Sequence, residues 1–188
     1  MREANYYLVV DLEATCDDLG AVPRHESEII EIGAVLVHGA SLVPVAELMT
    51  FVRPVIHQVT PFCTALTTIQ QDDVEHALGF VAAAARLAAF GEGALFCSWG
   101  NYDRNKLAED AARHGIAPPL GPDHWNLKDG FTRAFGTRRG VGMQGAMQRV
   151  GLEPWGTHHR GIDDARNIAR LLPFLLGRQG AATASSRS

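Results

Sequence analysis

Asp11 and Glu13 stand two residues apart at the end of the run Tyr6-Tyr7-Leu8-Val9-Val10. That run is aromatic and β-branched and reads as a buried strand. Strand side chains alternate between faces, so the two carboxylates share a side, about 7 Å apart at the backbone, while Leu12 points into the core. Neighbouring acids repel and resist burial. A hard divalent cation such as magnesium or manganese resolves the conflict, because both favour oxygen ligands. Taken alone, Asp-x-Glu is equally well a pair of solvated acids.

A third acid, Asp103, follows the apolar stretch Ala94-Leu95-Phe96-Cys97-Ser98-Trp99 after a Gly100-Asn101 turn. A helix beginning at Tyr102 puts it in the first turn, where the dipole favours negative charge. Helix-start chemistry explains it; so does delivery beside Asp11 by an adjacent strand end, where α/β sheets build sites. The fourth acid lies in His158-His159-Arg160-Gly161-Ile162-Asp163-Asp164-Ala165-Arg166-Asn167-Ile168-Ala169. At helical spacing Asp164 shares a face with Ile168, Leu171 and Leu172, and Asp163 shares one with Asn167 and Arg170. Asp164 is thus expected on the core-facing stripe, which costs on the order of several kcal/mol unless it is paired or metal-bound. Asp163 is expected to face water. On one helix His159 and Asp164 would lie about 140° apart. They converge if His159 sits in a loop, and Gly161 permits the break. An imidazole beside a metal site suits a general base; without Asp164 a surface histidine is the simpler account.

Positioning these groups needs a sheet and flanking helices. With the first strand, residues 28–37 and 47–52 read as an antiparallel meander, stopped by Pro54. Residues 17–27 read as a loop. Thr60-Pro61-Phe62 opens a short helical or irregular segment, and residues 67–74 read as a helix start with a Thr cap and early acids. The alanine-rich residues 80–90 are strongly helical and end at Gly91 and Gly93. Residues 94–99 form a fourth strand buried on both faces, followed by a helix over 102–114 and a short fifth strand at 125–127. Helices are expected near 130–135 and 144–150, and a last one over 162–176, interrupted by Pro173. Residues 181–188 read as a disordered tail, leaving a single domain over 1–180.

The chain has 188 residues, 46% hydrophobic and 20% charged, which suits one globular domain. A net charge of −4 argues against broad adhesion to nucleic acid. The first 100 residues carry 4 basic and 13 acidic side chains and the remainder 13 and 8. An acidic metal site facing a basic, phosphate-receiving half would look like this, as would an ordinary mixed surface. Cys16, Cys63 and Cys97 make no zinc pattern and no disulfide framework, so a reducing, cytoplasmic location is expected. The start shows no signal-peptide core, and the apolar residues 78–99 include Arg86 and Glu92, so no membrane span is expected.

The pieces Asp11-x-Glu13, Asp103 and His159-x-x-x-x-Asp164, in this order, resemble the DEDDh 3′–5′ exonucleases of the ribonuclease H-like fold, and within them the Eri-type RNA exonucleases and their bacterial relatives. The likeness extends over roughly residues 6–176 through Ala14-Thr15-Cys16, Glu28-Ile29-Ile30-Glu31, Phe51-Val52-Arg53-Pro54, Leu66-Thr67-Thr68-Ile69-Gln70-Gln71 and Ser98-Trp99-Gly100-Asn101-Tyr102-Asp103. It implies an α/β, three-layer fold with a five-stranded mixed sheet, three strands antiparallel and then two parallel. It also implies that Asp11, Glu13, Asp103 and Asp164 hold two divalent cations, Mg2+ or Mn2+, with Asp11 bridging them and His159 taking a proton from the attacking water. Single-stranded RNA or DNA 3′ ends would yield nucleoside 5′-monophosphates. Glu13 and the backbone of Ala14 would contact the terminal sugar, and a 2′-hydroxyl contact there could favour RNA. Phe62, Leu66 and Trp99 are candidates to flank the terminal base, with ordinary core the simpler account of Leu66 and Trp99. Arg138, Arg139 and Arg160 are candidates to meet phosphates. A DNA-directed proofreading-type exonuclease is an alternative, as is a regulatory binding protein of a sporulation kinase pathway.

Overall fold

Nine residues, Tyr6–Ala14, form β1, and their alternation sets its two faces. In the computed structural model, which describes residues 2–178, Tyr7 and Val9 enter one apolar cluster and Leu8, Val10 and Leu12 another. The proposed tail lies outside the described residues. By the period of two, Asp11 and Glu13 continue the face of Tyr7 and Val9. The acids sit inside the strand rather than past its end. β2 (Ile29–His38) pairs antiparallel along all of β1, from Tyr6 opposite His38 to Ala14 opposite Ile29, with a bulge between Glu13 and Ala14. β3 (Pro44–Arg53) completes the meander against β2.

The period then changes. Thr60 caps α1 (Pro61–Thr67), its hydroxyl accepting from Cys63 N–H at 3.0 Å. Thr67 and Thr68, expected to start the next helix, instead end this one. Thr67 Oγ1 donates back to the Cys63 carbonyl, and Thr68 takes a left-handed φ of 64°. α2 (Gln71–Glu75) starts later, the Asp73 carboxylate accepting from Gln70 N–H at 2.8 Å. β4 (Leu78–Gly79), α3 (Phe80–Phe90), β5 (Leu95–Ser98), α4 (Tyr102–Arg113), β6 (His124–Asn126), α5 (Leu127–Phe135), α6 (Met143–Arg149), α7 (Gly161–Ala169) and α8 (Leu172–Leu175) follow. The last helix breaks before Pro173, which occupies the first turn of α8, where its missing N–H costs nothing.

The sheet has six strands, in the order β4-β3-β2-β1-β5-β6, rather than the expected five. The extra strand, β4, adds only two residues, parallel to Val52 and Arg53, too few to show an alternation in the sequence. β5 lies parallel to β1, and β6 parallel to β5. Helices α5 to α8 cover the face of Tyr7 and Val9, and α3 and α4 cover the other. This is the three-layer α/β arrangement expected from the sequence, and it sets α7 over the acid-bearing face of β1.

Candidate active site

Two close approaches build the site. β5 pairs with β1 only over Tyr7–Val9, so past Val9 that edge of β1 has no strand beside it. The Leu12 N–H there donates to Asp103 Oδ1 at 3.2 Å, so a buried backbone donor is satisfied by the first-turn acid of α4. The turn that aims Asp103 uses Gly100 at φ 115°, open to glycine and strained for other residues. From the other side comes α7. Gly33 stands opposite Asp11 in the β1–β2 ladder, and a methyl group on it would overlap the carbonyl carbon of Gly161. Only a glycine lets the start of α7 settle onto the strands so closely. Asp164, three residues on and 5% exposed, then faces β1. One carboxylate oxygen each from Asp11, Glu13 and Asp164 lie within 4.8 Å of one another. These groups and Asp103 line a cleft of about 340 Å³.

Crowding changes how the acids hold protons. Burial raises Asp11 well above the usual carboxylate range, and the charges of Asp103, Glu13 and Asp164 push it further. Burial, then the Asp164 and Glu31 charges, push Glu13 up to about 8. Asp103 reaches only about 6, because backbone N–H groups and Ser98 stabilise its anion against burial. Three acids whose ionisation burial resists, gathered in one cleft with Asp164, are a donor set suited to hard divalent cations.

The two histidines divide their contacts. His158 Nδ1 lies 3.0 and 3.2 Å from the Asp164 carboxylate oxygens. His159 instead contacts Asp164 through its backbone, its N–H donating to Oδ2 at 3.0 Å, with φ at a left-handed 62°. The rings sit 3.9 Å apart, and both line the cleft. Burial and then the neighbouring His158 lower the His159 pKa from its ordinary value, so its ring is neutral at pH 7.

The remaining sequence candidates separate. Ala14, Leu66 and Trp99 line the cleft; Phe62 projects from α1 without lining it. Trp99 is tied by its indole N–H to the Val141 carbonyl at 3.0 Å. Arg138 and Arg139 are exposed in the loop before α6. Arg160 is already paired, its Nε 2.9 Å from the buried Glu31 carboxylate. Asp163 does not face open water. Its carboxylate accepts from Thr157 N–H at 2.9 Å and pairs with Arg166, while Asn167 on the same face is buried against Trp155. Cys16, Tyr102 and Met143 also line the cleft and were not singled out from the sequence. Tyr102 could have been, as the residue beside Asp103 at a helix start.

A family model described as Exonuclease (RNase_T) matches residues 8–172. The chain is similar to ERI1 exoribonuclease 2 of Mus musculus, 30% identical over 97% of this chain and 30% of the relative. It is similar to ERI1 exoribonuclease 3 of Mus musculus, 32% identical over 91% of this chain and 53% of the relative. The chain therefore spans about half or less of these curated relatives. Among solved structures it resembles the nuclease domain of 3′hExo, a DEDDh family member, bound to rAMP, with a TM-score of 0.85 and 25% identity over 95% of this chain and 94% of that one. With the match covering most of its length, the chain belongs to the exonuclease family, and within it to the DEDDh 3′–5′ exonucleases of Eri type.

Proposed function

We propose that residues 1–180 form a single exonuclease domain that removes nucleotides from the 3′ ends of single-stranded RNA as nucleoside 5′-monophosphates. The observation that carries this reading is the convergence of Asp11, Glu13 and Asp164 within 4.8 Å in one cleft, with Asp103 at its wall. These four residues would hold two divalent cations, Mg2+ or Mn2+. Such cations supply Lewis acidity to the attacking water and to the leaving oxygen. His159 accepts the proton of that water, and its lowered pKa keeps the imidazole neutral and able to do so. Glu13 and the backbone of Ala14 hold the terminal sugar, and a hydrogen bond to its 2′-hydroxyl would favour RNA. Leu66 and Trp99 flank the terminal base from the cleft walls.

Similarity to exoribonucleases and to a nuclease domain bound to rAMP supports RNA over DNA. The free thiols Cys16, Cys63 and Cys97 suit the reducing cytoplasm, and among the described residues no helix is long and apolar enough to cross a membrane. A time course on 5′- and 3′-labelled single-stranded RNA and DNA tests the reading, with magnesium, manganese or a chelator. The expected result is a ladder shortening from the 3′ end, faster on RNA and absent with chelator. Full activity after exhaustive chelation would sink it; equal or faster trimming of DNA would replace RNA by the proofreading-type reading.

A further inference from the structure

Glu31 is fully buried and stands opposite Glu13 in the β1–β2 ladder, on the same face. Like charges opposed across two strands destabilise each other unless one is neutralised. Arg160 does this: its Nε lies 2.9 Å from Glu31 Oε2. Its guanidinium also sits 5.5 Å from the centre of the Phe51 ring, and Nη1 is 3.5 Å from Thr68 Oγ1. The other oxygen of Glu31 accepts from Ile162 N–H at 3.4 Å. The residue directly after His159 is thus tied to β2, β3 and the end of α1. His159 itself holds a left-handed backbone inside the turn that Arg160 N–H closes onto the Thr157 carbonyl at 3.2 Å, and its own N–H donates to Asp164. A phosphate that drew Arg160 away would leave a buried carboxylate unpaired beside Glu13, a costly exchange.

We propose that the Glu31–Arg160 pair is a positioning device that locks the His159 loop over the acids, and that Arg160 is not a phosphate contact. The inference rests on the exonuclease reading for its kinetic consequences and on geometry alone for its structural ones. It is tested by Arg160→Met, with two readouts. The first is backbone amide exchange in the metal-free protein. Protection at His159 and Ile162 is expected to fall about tenfold or more, while β1–β2 amides hold. The second is a cycle with His159→Ala. Arg160→Met is expected to lower kcat about tenfold at nearly constant KM, and to cost less than about twofold once His159 is gone. A rise in KM at unchanged kcat, an equal loss in both backgrounds, or unchanged protection at His159 each overturns the inference. If Arg160→Met does not fold, the double variant Arg160→Met/Glu31→Gln removes the orphaned carboxylate and is read identically. Should the wild-type protein trim no strand, the exonuclease reading fails, while the exchange result still decides whether the pair holds the loop.

Discussion

The acids and the histidines are held in the cleft by different means. Asp11 and Glu13 belong to a nine-residue strand paired along its whole length, and their direction follows from backbone hydrogen bonds. The segment before α7 belongs to no strand or helix, and α7 side chains tie much of it down. Asn167 exchanges two hydrogen bonds with the Trp155 backbone, Asp163 takes Thr157 N–H, and Arg170 stacks on the Trp155 ring at 3.7 Å. The strand wall can lose one side chain without moving the others. The loop rests on several such ties, so the histidine loop is the more fragile half of the cleft.

The contrast is tested most severely at the two adjacent aspartates. Asp164→Asn is predicted to reduce activity to background with the fold intact by circular dichroism. Asp163→Asn is predicted to keep most activity and cost about 1 kcal/mol, measured by denaturant unfolding, because a charged hydrogen bond to Thr157 and a pair with Arg166 are weakened. The reverse pattern would place the metal-facing side of α7 one residue away.

His159→Ala is predicted to lower turnover about 10²- to 10⁴-fold without changing metal affinity. The acid limb of the rate–pH profile should fall below the ordinary histidine range, since the His159 pKa is lowered. His158→Ala should cost far less. It should also move the acid limb upward, by removing a neighbour that disfavours the imidazolium. Equal losses from the two substitutions would show that the loop acts as a unit, or that His158 is the base.

Gly33→Ala attacks the contact that joins the two halves. The added methyl meets the Gly161 backbone, so α7 must retreat. We expect a loss of about 1–3 kcal/mol in stability, and up to about 10²-fold in rate because the two halves no longer register. Steady-state kinetics and thermal unfolding on the same sample would check both.

The smallest predicted effect concerns protons. Glu13 is raised to about 8 from 4.5 and Asp103 to about 6 from 3.8, so the metal-free folded protein holds protons that the unfolded chain has released. Stability from these groups is fully present below their unfolded values and is lost as pH rises through the folded ones. Melting of chelator-treated protein between pH 6.5 and 8.5 should show Tm falling as Glu13 ionises, and magnesium should remove that fall. A Tm that rises with pH under chelation would contradict it.

Much of this site was legible in the sequence, because Asp11, Glu13 and Asp164 lie in segments whose period fixes a direction. What escaped depended on partners from elsewhere. Asp163 is one such case, since nothing in the aperiodic residues 153–157 shows that they fold back over α7. The partner of Arg160 is hidden in the sequence too, because Glu31 comes to it only once β1 and β2 register Glu13 opposite Glu31. Phe62 and Leu66 share a short helix, and which of them reaches the cleft depends on how α1 sits on the sheet.

The most direct measurement is calorimetric titration of Mn2+ into metal-free protein at pH 7, repeated in buffers of different ionisation enthalpy. If the four acids converge to bind cations, ions will bind with release of protons, chiefly from Glu13, because metal ligands must be deprotonated. Asp164→Asn should then bind fewer ions or bind them more weakly. Binding without proton release, or equal binding by wild type and Asp164→Asn, would contradict the account.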